Sequence, residues 1–335
     1  MTLITRTKER AIAARSLSFG LWDADDRYRC SSGHAVVLTI AVALTGIAYA
    51  AGAPLAAGGP TVAACLALLL VGLPHGALDI ELLKRGTALA EGKAGGIGSV
   101  GLLLLAYLGL AGAMLLLWRA APVLALVAFL LTAVAHFGED WAEADQPALA
   151  LGTAAALLCA PALTHHDQLA AVFQQLCGTM RAASIADGML MLAPVALAIA
   201  AVTVLRLVTL GRTAQGVATV AVLTAMVTLP PVIGFALFFC VHHSPRHLRD
   251  AWRSLARRRV ALSKIGRATV SVTVAALGIA ALLYATEFRV ELAARTIAAA
   301  FTTLSILTVP HMALPAIVAR LSNRRTRSPH PASPG

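Results

Sequence analysis

Charge is scarce in this chain. Only 13% of its 335 residues are charged, about half the share of an ordinary soluble domain. Acidic side chains are scarcer than basic ones, 16 against 27, leaving a formal net charge of +11. Cysteine is limited to Cys30, Cys65, Cys159, Cys177 and Cys240, with no CxxC pair. That excludes a zinc ribbon and offers no disulfide framework; within apolar runs these thiols read as small buried side chains. Residues 1–32 lack an apolar stretch before Ala35 and carry Arg6, Lys8, Arg10, Arg15, Arg27 and Arg29. No cleaved secretory signal is read there, so the first apolar run is expected to direct membrane insertion as well. The glycine run Gly95–Gly101 has no strand before it and opens an apolar segment. It reads as a place for close helix packing, not as a phosphate loop.

What the chain has in abundance is apolar sequence, 59% of all residues, gathered in long runs. A membrane-spanning helix needs about 20 such residues. Candidate spans are 33–54, 61–83, 97–118, 121–141, 148–163, 188–210, 215–229, 231–248, 266–286 and 295–320. The fifth is short, and the seventh and eighth meet at Pro230-Pro231, which suits a tight turn or a kink. The expected fold is all-α, a polytopic transmembrane helical bundle of about ten spans. Three regions are expected: a basic cytoplasmic segment 1–32, a transmembrane catalytic domain 33–320, and a basic, Pro-rich, disordered tail 321–335 that contains His330. The excess of Lys and Arg lies between apolar runs and at the ends, where it sets topology and meets lipid headgroups; nucleic acid is not implied. The basic segments alternate so that both termini are expected in the cytoplasm and the chain in the cell inner membrane. The acidic 142–147 loop is the exception.

With that orientation, four segments bring histidine to the cytoplasmic half of the bilayer: "GLPHGALD", "AHFGED", "HHSPRH" and "TVPHMALP". Polar side chains at membrane depth are costly and tend to face a bundle interior, so each is a functional candidate. His243 and His247 are spaced i, i+4, which places them on one helix face. His242 points about 100° away from His243. His75 and His136 are each followed at i+4 by an aspartate, Asp79 and Asp140, and Glu139 lies at i+3 from His136. A ligating histidine commonly gives its second ring N–H to a carboxylate, so these acids suit a supporting role; in a facial triad Asp79 or Asp140 would itself be a ligand. His311 suits a ligand, a supporting group or a substrate contact. His34 precedes its span, and His165 and His166 fall at the other side. Several imidazoles without a thiolate suit zinc, iron or copper. Arg246 and Arg249 read as headgroup or loop residues.

In that order, "PHGALD", "HFGED", "HHSPRH" and "PHM" resemble the Brp/Blh family of bacterial β-carotene cleavage enzymes, over about residues 33–320. The resemblance implies an integral membrane, iron-dependent 15,15′-oxygenase that splits β-carotene with O2 into two retinal molecules and hands retinal to a rhodopsin-type protein. It implies a ferrous ion, Fe(2+), held by His75, His136, His243 and His247, with Asp79, Glu139, Asp140, His242 and His311 in supporting or substrate-facing roles. The alternatives are a di-iron membrane desaturase or hydroxylase, which needs more clustered histidines, a proton-coupled transporter using His–Asp pairs, and a bis-histidine haem protein.

Overall fold

The computed structural model of the protein describes residues 30–72, 74, 76, 97–257, 262–286 and 291–327. Among the described residues the regular structure is helical throughout. In chain order the helices are α1 Ser32–Ala50, α2 Gly58–Ala67, α3 Ile97–Ala120, α4 Pro122–Gly138, α5 Pro147–Cys159, α6 Ala162–Cys177, α7 Ala183–Thr209, α8 Thr213–Thr228, α9 Pro231–Leu237, α10 Ser244–Arg257, α11 Leu262–Thr286 and α12 Leu292–Arg327. Their starts follow local chemistry. The Ser31 hydroxyl caps α1 by accepting from the His34 backbone N–H at 3.2 Å, and Pro122, Pro147 and Pro231 occupy first-turn positions where no N–H is needed.

Six described helical segments are long and apolar enough to cross a membrane, or seven if the bent pair α5 and α6 forms one span. The sequence led us to expect about ten. Part of the difference lies in α8, which has 16 residues, and in the expected span 61–83, whose later part lies outside the described residues. The Pro230-Pro231 junction is a turn, because Leu229 before it is extended (φ −107°, ψ 155°), as a residue before proline prefers. The 164–187 segment, read from sequence as a connection, is largely helical. Its α6 meets α5 at 69° and turns Leu169, Ala170, Phe173 and Leu176 inward.

Association between the helices relies on small residues and hydrogen bonds, as expected where apolar surface alone gives little preference over lipid. At Gly152 in α5 a Cβ would overlap Ile199 of α7, so glycine sets how closely those helices approach. One residue further on, Thr153 and Thr203, both fully buried, join the same pair at 2.8 Å. The Trp118 indole of α3 donates to Ser305 Oγ of α12 at 2.6 Å, and Trp141 donates to Thr219 Oγ1 of α8 at 2.8 Å. Large apolar side chains such as Leu44, Leu105, Leu131 and Leu205 remain exposed, the outward belt a lipid-facing bundle requires.

Candidate metal centre

Three parts of the chain bring imidazoles together in the interior. The last turn of α4 carries His136, and the helix then tightens into a 3-10 segment, Glu139–Ala144, that buries Asp140. Helix α9 widens into a π-helical turn, Phe238–His243, before continuing as α10. Such turns recur at functional sites. This one buries His242 and His243 completely, each with its own set of partners. Helix α12 contributes His311.

Asp140 organises the cluster. Its Oδ2 accepts from His243 Nδ1 at 2.7 Å and its Oδ1 lies 3.6 Å from His247 Nε2. With Nδ1 donating to the carboxylate, neutral His243 presents the Nε2 lone pair. That atom faces His136 Nε2 at 3.0 Å. Two imidazole ligands at about 2.0–2.1 Å from one ion and at right angles would stand roughly 3 Å apart. The His247 ring lies 4.3 Å from that of His243 and 5.4 Å from that of His136. The His311 ring approaches His136 edge-on at 4.9 Å. Asp140, His243 and His247 can converge on one ion, and buried nitrogen donors with a carboxylate behind them suit a divalent first-row metal.

Aromatic rings wall this cluster. Phe239 stacks on His243 with centroids 5.2 Å apart and planes at 18°, and Phe137 meets His243 edge-on at 5.0 Å. Phe239 is fixed from behind. A Cβ on Gly72 would overlap its ring, so that position must lack a side chain. The π-helical turn Leu68–Gly72 that follows α2 is held there by Ser244, whose Oγ lies 2.9 Å from the carbonyl oxygens of both Val71 and Gly72 and donates to one of them.

A second polar layer lies outside the first. Arg246 is buried between carboxylates, with Nε 3.9 Å from Asp140 Oδ1 and Nη2 3.6 Å from Glu143 Oε1. Its Nη1 donates to Gln215 Oε1 and lies 3.4 Å from His242 Nε2. That leaves His242 Nδ1 to donate to His34 Nε2 at 3.3 Å. Gln215 also donates to the Asp140 backbone oxygen at 3.0 Å, and Arg212 reaches Glu143 at 3.7 Å.

Of the residues singled out from sequence, His136, His243, His247, His311 and Asp140 are brought together here. Glu139 is within electrostatic reach of His247. His242 belongs to the outer layer with His34. His75 and Asp79 lie outside the described residues. His165 and His166 sit at the far end of the molecule. His165 is 6.2 Å from Tyr49, fifteen residues and about 22 Å along α1 from His34, and His166 pairs with Asp187 at 2.9 Å. Arg246 corrects the sequence reading: it braces the acid that organises the cluster and does not face headgroups. Its spacing of i+4 from His242 was the available signal, and Gln215 and Glu143 gave none.

Residues 66–318 match the family profile described as "Beta-carotene 15,15'-dioxygenase". A curated protein of that description from uncultured marine bacterium 66A03 is 28% identical over 257 residues, which covers 74% of this chain and 90% of the relative. No solved structure matches the chain.

Proposed function

The chain belongs to the β-carotene 15,15′-dioxygenase family, and from that premise we propose that it breaks the central double bond of β-carotene with O2 to give two retinal molecules. In balance, the 15,15′ bond is cleaved and each of its carbons takes one oxygen atom. The cofactor is one ferrous ion held by His75, His136, His243 and His247. Bound there, iron with neutral imidazole ligands supplies open coordination positions for O2. The observation that carries this reading is the pair of Nε2 atoms of His136 and His243 facing each other at 3.0 Å, one of them oriented by Asp140.

The chain's own groups hold and shelter that centre. Asp140 fixes the His243 tautomer and steadies His247, and Arg246 balances the buried carboxylate. Asp79 and Glu139 serve as further supporting acids, His242 as part of the outer brace, and His311 as a ring beside the reacting bond. Phe137 and Phe239 keep water away from the reacting atoms. The substrate is a hydrocarbon that resides in lipid, so a buried centre in an apolar bundle meets it without an aqueous step. Alternating basic segments support about ten spans in the inner membrane, both termini in the cytoplasm and the metal in the cytoplasmic half. Retinal passes from there to a rhodopsin-type acceptor.

Expression in a β-carotene-accumulating bacterium tests the activity: orange colour should fade while chromatography detects retinal. Purified protein should contain about one iron per chain and show no haem absorption band. Two irons per chain would point to a desaturase-type centre, and no metal to a transporter.

A further inference from the structure

A cleft lined entirely by apolar residues borders the metal cluster. Its cavity volume is about 70 Å³, and it opens on one side. Phe137 forms one end, and the same ring lies 5.0 Å from that of His243 and 5.6 Å from that of His136. From there the cleft follows α4 back to Leu126 and is lined by Phe173 and Leu176 of α6.

Helix α6 lies across the end opposite the histidines, and two contacts place it there. Cys177 Sγ lies 3.5 Å from the Pro122 oxygen, at the start of α4, whereas His136 is in the last turn of that helix. The Thr164 hydroxyl donates to the Val227 oxygen at the end of α8, whereas Gln215 near its start bonds the backbone of Asp140. Leu126 and His136 are ten residues apart, about 15 Å along α4. In β-carotene, nine bonds separate the central carbon from the ring carbon to which the chain is attached. At roughly 1.2 Å per bond of extended chain, those bonds and the ring together reach about 14 Å. The length between histidines and α6 thus matches that of half a molecule of the substrate.

We propose that α6 is the stop that selects the bond to be cut. One ring lodges against Phe173 and Leu176, the attached half-chain lies along α4, and the double bond one half-length away stands at the histidines. Because the substrate is symmetric, measuring one half locates its centre. This inference rests on the proposed carotenoid cleavage, and its test separates the two.

In a β-carotene-accumulating bacterium the unaltered protein should give retinal with only traces of unequal cleavage products. Phe173→Ala lets the ring sink by about two chain bonds, roughly 2.4 Å, which brings the neighbouring double bond to the histidines. One aldehyde longer than retinal should then appear, with one shorter methyl ketone, because the shorter fragment ends at a methyl-bearing carbon. Their share should rise about 10-fold or more over the unaltered protein, since even one methylene in an apolar pocket is worth that much discrimination and a phenyl ring is larger. Leu176→Phe, which fills space instead of opening it, should raise the same unequal pair by holding the ring short of its seat. Mass-resolved chromatography reads both variants, and iron content of the purified proteins shows that the centre is intact. If Phe173→Ala does not accumulate, Leu176→Phe decides alone. Retinal as sole product from an iron-replete variant overturns the stop. Absence of retinal from the unaltered protein overturns the cleavage reading instead.

Discussion

At the residue scale the site is a set of imidazoles whose direction is imposed by one acid. Replacing His136, His243 or His247 by Ala should abolish retinal formation and iron retention while the protein still inserts, as read by chromatography, metal analysis and membrane fractionation. Normal turnover in any of these variants would remove that residue from the ligand set. Asp140→Asn should weaken iron retention by about 10- to 100-fold, the usual consequence of removing the acceptor behind a ligating histidine; metal content after graded chelation measures it. Much of this was legible in the sequence. His243 and His247 share a face because of their spacing, and membrane-depth histidines point inward because lipid cannot solvate them. The partner of Asp140 was not legible. The i+4 spacing suggested support from the same helix for His136, yet the carboxylate reaches His243 and His247, because the 3-10 segment after Gly138 re-aims it.

At the element scale, two π-helical turns meet at the centre and are fitted to one another by glycine and serine. Gly72→Ala should drive the Phe239 ring toward His243 and lower both iron content and turnover, and Gly72→Ala combined with Phe239→Leu should recover part of both. Failure of the second change to help would mean that the first acts through something other than that ring. Ser244→Ala should cost about 0.5–1.5 kcal/mol, the net contribution of one hydrogen bond, read from thermal unfolding in detergent. Neither π turn is visible as a hydrophobic pattern, because a single extra residue in a turn leaves composition unchanged. The short α5 was legible as the short fifth apolar run, whereas the bent α6 was obscure. An amphipathic helix and a polar connection look alike when His165, His166 and Asp167 interrupt the apolar positions.

At the scale of the whole molecule, the bundle separates its chemistry from its far end. His165→Ala and His166→Ala, about a helix length from the centre, should leave iron content and retinal formation unchanged; loss of both would overturn the proposed arrangement of ends. Arg246→Met removes the positive charge between Asp140 and Glu143. It should destabilise the protein by about 3–5 kcal/mol, because buried Asp140 loses its arginine counter-charge while Glu143 keeps only Arg212, and a thermal unfolding series would show it.

The sequence by itself determined the class of solvent, the helical architecture and the residue types at the centre. Those follow from apolar runs long enough to shield a backbone in lipid and from the rarity of imidazoles placed among them. Only the tertiary structure decided which lone pairs converge, which acid orients them, that Arg246 faces inward, and that α6 lies across the far end of an apolar cleft. Those features depend on crossing angles, turn widths and close approaches between segments distant in the chain, and a one-dimensional pattern carries no distance between them.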